Sequence, residues 1–91
     1  MNENHKLQKE IVFSLYRRGY FGKKHTPINN LCKRLSHYSC KEIRREIKNL
    51  IKREIILPKP TAHNPDIRLN VRMKKEIEFF IKDRIEELYD F

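Results

Sequence analysis

The sequence has no tryptophan, a single alanine, two glycines, two cysteines and four prolines in 91 residues. So few cysteines exclude the disulfide framework of a small secreted scaffold. Two glycines leave no phosphate-cradling loop. No apolar run approaches the ~18 residues of a membrane span. Residues 1–9 are too polar for the apolar stretch of a secretory signal, so an intracellular, cytoplasmic protein with no membrane contact is expected. There is no HExxH, and no Ser or Cys stands beside an evident base and orienting partner. The acidic side chains of residues 1–70 are few and dispersed, whereas a metal-dependent nuclease needs them clustered. The chain is not expected to be an enzyme or to hold a metal, cofactor or small-molecule ligand.

What is present is charge and isoleucine. Eleven Ile and nine aromatics recur at regular spacing, which argues for a folded core. The length suits one domain over residues 1–91, near the lower limit for a single apolar core. The formal net charge is +9, divided as +10 over residues 1–70 and −1 over residues 71–91. Such asymmetry suits a surface that meets a polyanion. Abundant Ile, Lys and Asn also fit an A+T-rich coding sequence, which raises lysine without functional cause, so the placement of the charge must decide.

Leu7, Ile11 and Leu15, with Val12, predict a helix over residues 4–18. Gly19 and Gly22 open a basic, aromatic loop over residues 17–25, whose Tyr20 and Phe21 are expected to pack on the core. Thr26-Pro27 reads as an N-cap followed by a proline at the first helical position. Ile28, Leu31, Cys32 and Leu35 mark a short second helix. Ser39 and Glu42 form a capping box for a third helix over residues 40–53. On a wheel at ~100° per residue, Cys40, Ile43, Ile47, Leu50 and Ile51 share one side. Lys41, Arg45, Lys48, Asn49 and Lys52 lie opposite, with Arg44 on one flank and Glu42 and Glu46 on the other. Ile55-Ile56-Leu57 and Ile67-Arg68-Leu69 predict a hairpin over residues 55–70, with Pro58 marking an edge strand. Asn70 caps a last helix over residues 71–90, beyond a core spanning residues 4–70.

The order helix, helix, turn, helix, hairpin, helix resembles a winged helix-turn-helix domain: mainly α with a small β-hairpin. It is similar to the small one-domain winged-helix proteins of archaea and their viruses. That resemblance implies double-stranded DNA as partner and transcriptional regulation as function, with the third helix in the major groove and the hairpin as wing. The implied contacts are Ser39, Lys41, Arg44, Arg45, Lys48, Asn49 and Lys52 from the third helix, and Lys59, His63 and Arg68 from the wing. Thr26 and Asn29 are expected to seat a phosphate at the start of the second helix. Arg44 and Arg45 suit guanine and Asn49 suits adenine, while lysines suit phosphates. The family's glycine at the wing tip is absent; Ala62-His63-Asn64-Pro65 stands there.

Two other readings remain open: a protein-interaction or assembly module with a basic face, and RNA binding through the aromatic loop. A homodimer through the last helix is expected, with Phe13, Tyr16 and Phe79 as contacts. Cys32, His37 and Cys40, with the spacing C-x4-H-x2-C, fit no common zinc site. The cysteines are read as buried thiols, with a Cys32–Cys40 disulfide as the alternative.

Overall fold

The computed structural model describes residues 3–61 and 65–89. They form a mainly helical structure with a small antiparallel sheet: α1 (His5–Arg17), β1 (Thr26–Pro27), α2 (Ile28–Arg34), α3 (Cys40–Lys52), β2 (Ile56–Lys59), β3 (Asp66–Leu69), a 3-10 turn (Val71–Met73), α4 (Lys74–Phe80) and α5 (Lys82–Tyr89). One apolar cluster joins these elements, drawing on Leu7, Ile11 and Leu15 of α1, Leu31 of α2, Ile43, Ile47 and Leu50 of α3, Ile56, Ile67 and Leu69 of the sheet, and Ile77 of α4.

Asn4 caps α1, its Oδ1 accepting from the Leu7 backbone N–H at 3.1 Å. The helix ends in a Schellman closure: the Gly19 N–H bonds the Tyr16 carbonyl and the Tyr20 N–H bonds the Leu15 carbonyl, both at 3.1 Å. Gly19 holds the required left-handed conformation at φ +71. The same closure ends α3, where Glu54 N–H meets Ile51 O at 2.9 Å and Ile55 N–H meets Leu50 O at 3.0 Å. There the left-handed position belongs to Glu54, at φ 61. A side chain in that region costs about 1–2 kcal/mol. The bonds it closes deliver the chain directly into Ile55 and Ile56, both buried.

The expected hairpin is present, with Ile56 opposite Leu69 and Pro58 opposite Ile67. Pro58 does lie on an edge strand, since the order is β1-β3-β2. The third strand corrects the reading of Thr26-Pro27. Thr26 pairs with Ile67 in β1, Pro27 holds the N-cap position without a side-chain bond, and α2 starts at Ile28. A two-residue strand has no periodicity, and proline at a sheet edge leaves the same trace in sequence as proline at a helix start. His25 ties this strand down, its Nδ1 lying 2.7 Å from Asp66 Oδ2.

The last helix is also corrected. In place of one helix over residues 71–90, the chain makes the 3-10 turn, α4 and α5, with a break at Ile81. Asn70 caps the turn as expected, accepting from the Arg72 N–H at 3.1 Å. Ile77 and Ile81 are both fully buried, and beyond the break Ile85, Leu88 and Tyr89 of α5 line one hollow with Phe13 and Tyr16 of α1.

Cys32 and Cys40 form a disulfide, eight positions apart in sequence with Cα atoms 5.1 Å apart, and are not the free buried thiols of the default reading. The capping box starts α3 immediately at Cys40, which turns that residue back onto α2 at the margin of the core, where both cysteines are half-buried. Closing a loop of this length contributes about 2.5 kcal/mol on the chain-entropy model. Replacing both cysteines by serine is expected to lower the free energy of unfolding in urea by about 2 kcal/mol, and reductant should do the same to the native chain. An unchanged urea midpoint would show that packing alone holds α2 to α3.

Candidate nucleic-acid interface

The capping box that starts α3 is complete. Ser39 Oγ accepts from the Glu42 backbone N–H at 3.1 Å, and Glu42 Oε1 accepts from the Ser39 N–H at 3.4 Å. Ser39 is therefore committed to the backbone of its own helix. Ile43, Ile47 and Leu50 point into the core. The opposite side of α3 carries Lys41, Arg45, Lys48 and Lys52, all exposed. Among the described residues, Lys41, Arg44, Arg45 and Lys48 alone line one open concavity of about 550 Å³.

The flanking residues are positioned by hydrogen bonds. Arg44 donates from Nη2 to Asn29 Oδ1 at 2.6 Å, which links α3 to the first turn of α2. Asn49 donates to Glu46 Oε1 at 3.1 Å, leaving its carbonyl oxygen and one N–H for an outside partner. Arg45 Nε lies 3.4 Å from Glu46 Oε2, with its side chain still half exposed.

Glu46, which the wheel sets on a flank beside Glu42, is completely buried. Its Oε1 also accepts from Gln8 Nε2 of α1 at 2.9 Å, and Gln8 Oε1 in turn accepts from Arg53 Nη1 at 3.0 Å. Burial pushes the Glu46 carboxyl up, but hydrogen bonds from Gln8, Asn49, the Asn4 backbone and Arg45 outweigh it and hold the group below the ordinary glutamate value. This hub sets the rotation of α3 and aims Arg45 and Asn49.

The remaining expected contacts are scattered. Thr26 is 1% exposed and its Oγ accepts from Asn30 Nδ2 at 3.0 Å, so it is not free to seat a phosphate. Asn29 is exposed but engaged by Arg44. Lys59 is exposed opposite Asp66, an acid that dilutes the charge of the wing. Arg68 is half-buried and shares a hollow with Lys23 and Arg72, two cations that sequence spacing does not connect to it. His63, with the wing tip, lies outside the described residues.

The three expected dimer contacts do not form one patch. Phe13 and Tyr16 are half-buried beside Leu88 and Tyr89, whereas Phe79 stands in a separate hollow with Lys9, Arg53 and Phe80. Tyr16 is held by its own chain: the hydroxyl donates to Glu78 at 2.6 Å, which pushes its pKa up to about 12. Tyr20 and Phe21 pack against the core as expected, the Phe21 ring meeting Tyr16 edge-on at 5.9 Å.

Glu46 has a depressed pKa, so its contribution to stability is present above the unfolded value, near 4.5, and is lost as pH falls through the folded value. Glu46→Gln should lower stability at pH 7 by about 2 kcal/mol. It should also flatten the fall in stability below about pH 4.5, followed by thermal unfolding across pH. An acid limb as steep as that of the native chain would remove the hub from this account.

Comparison with protein-family models, curated proteins and solved structures finds no significant match to this chain.

Proposed function

We propose that this chain is a winged helix-turn-helix protein that binds double-stranded DNA as a transcriptional regulator. In this reading α3 enters the major groove and the β2–β3 hairpin acts as the wing. The observation that carries it is the concavity lined, among the described residues, by Lys41, Arg44, Arg45 and Lys48, four cations of one helix. A helix with one apolar side in the core and an uninterrupted cationic side outwards fits a groove walled by phosphates.

The roles follow from the side chains. Arg45 offers a planar fork to a guanine edge, while Glu46 restrains its direction. Asn49, with one N–H and its carbonyl oxygen unspent, suits adenine. Lys41, Lys48 and Lys52 make no ion pair among the described residues and suit phosphates, where a compact charge positions without specifying. Arg68 gives the wing a cation beside a hollow that Lys23, Arg72 and the Glu54 carboxylate also line.

Binding to random-sequence duplex, followed by fluorescence anisotropy at two salt concentrations, should weaken steeply with salt as counterions are released. Lys48→Ala should weaken all duplexes alike and reduce the log–log salt slope by about one. Arg45→Ala should cost about 1–3 kcal/mol on a selected site and relax base preference there. Unchanged binding in both variants would remove α3 as the reading helix. A stoichiometric protein complex without salt-sensitive duplex binding, or preference for single-stranded RNA, would replace DNA as the partner.

The proposal includes a homodimer, which would place two α3 helices on half-sites about one helical turn apart. Phe79, 79% exposed in a segment with no net positive charge, supports it as the central contact. Sedimentation velocity should report a dimer for the native chain and a monomer for Phe79→Glu, with unfolding unchanged. A monomeric native chain would discard the dimer and leave the α3 claim standing.

A further inference from the structure

A second basic site lies away from α3. A notch of about 210 Å³ opens between α1, α2 and α5, and Arg17, Arg18, Arg34 and Arg84 all line it. These arginines are far apart in sequence and come together only through the fold. None of the four makes an ion pair among the described residues. Arg17 lies over the Phe13 ring, 5.6 Å from its centre, and Arg34 reaches the Tyr20 hydroxyl. Arg84 is half-buried. Glu10 is the one carboxylate in the lining, and both its oxygens are occupied: Oε2 accepts from the Tyr38 hydroxyl at 3.0 Å and Oε1 lies 3.3 Å from His37 Nε2. Ser14 adds a hydroxyl.

We propose that this notch binds a phosphate group. Four guanidiniums without an ion pair share one small hollow with a single carboxylate, Glu10, so the lining keeps a net positive charge that a further anion offsets. A guanidinium fork matches two oxygens of a phosphate, and a phosphate has enough oxygens to engage several forks at once, where a carboxylate satisfies one or two. The hollow is smaller than the ~300–1,000 Å³ of pockets that enclose drug-sized ligands, so it suits a terminal or backbone phosphate and not a whole buried molecule. The site is distinct from the proposed DNA-reading face. It shares no lining residue with α3, and on α1 Ser14 lies about 120° round the helix from Gln8, the residue that contacts α3. The phosphate therefore belongs to a molecule other than a duplex seated on α3, either a small phosphate compound or a second duplex.

The test titrates inorganic phosphate into the full chain at constant ionic strength maintained with chloride. Phosphate should raise the melting temperature saturably and give a measurable affinity by calorimetry. The double variant Arg34→Gln/Arg84→Gln should weaken that affinity about tenfold or more. Lys48→Ala should leave it unchanged, which separates this site from the α3 reading. If the Arg34/Arg84 variant does not fold, Arg17→Gln/Arg18→Gln replaces it, because both side chains are exposed at the end of α1. Stabilisation equal to that by chloride, or affinity unchanged in the variants, overturns the proposal. Energy transfer between donor-labelled and acceptor-labelled duplexes identifies the source. Transfer that the arginine variants abolish assigns the phosphate to a second duplex. Phosphate binding without transfer assigns it to a small phosphate compound.

Discussion

Neither Gln8 nor Glu46 reaches solvent, and the 2.9 Å contact between them fixes α3 against α1. Burial of Ile43, Ile47 and Leu50 dictates which side of α3 turns inwards, but apolar contact is non-directional and tolerates a small rotation or slide. A hydrogen bond to a buried carboxylate does not. Displacing it would strand a charge away from water, at a cost of several kcal/mol. The chain avoids that penalty completely, since no buried side-chain nitrogen or oxygen among the described residues lacks a partner. The direction in which Lys41, Arg45 and Lys48 leave the surface is thus set from beneath, by a polar contact on the side of α3 that faces α1.

Much of this was legible in the residues. The 3.6-residue spacing located α1, α2 and α3, Ser39 and Glu42 marked the start of α3, and Gly19 marked the end of α1. Glu46 was not legible, for a reason the wheel makes plain. It lies only about 60° from Ile43, at the margin of the apolar arc, where a wheel assigns a flank and cannot assign burial. Its burial depends on Gln8, 38 positions away, which helical spacing sets among Ile11, Val12 and Leu15 on the buried side of α1 but cannot match to a partner on α3. Glu54 is a similar case. A left-handed closure there is needed because β2 must begin at once, yet no glycine announces it.

Thr26-Pro27, the cysteines and the last helix failed for a shared reason: each is decided by a neighbour distant in sequence. Thr26 is a strand residue because Ile67 lies beside it, and Cys32 meets Cys40 because of the way α2 crosses the start of α3. The C-terminal helix breaks at Ile81, and the α5 beyond it lines a hollow with α1, a neighbour that local spacing does not name. The grouping of Arg17, Arg18, Arg34 and Arg84 belongs with these cases, since it needs three elements to be in place before it exists. Local spacing identifies faces of elements, and the fold alone decides which faces meet.

The charge is left largely uncompensated. Among the described residues only Lys9–Asp83 and Arg45–Glu46 pair a Lys or Arg with a carboxylate, against a net charge of +9. Mutual repulsion on that scale works against a compact state, and a core of this size has little to spare. The opposing constraints are short-range and mostly insensitive to salt: the disulfide across the α2–α3 turn, the capping box, two Schellman closures and the buried hub. They hold cations in place that would otherwise drive the elements apart. Any polyanion that binds the folded chain in preference to the unfolded one then adds to stability by mass action as it removes the repulsion. On the proposed reading, binding and folding are coupled through the electrostatics of the surface, and the uncovered cations on α3 and in the arginine notch are where an anion would relieve the repulsion.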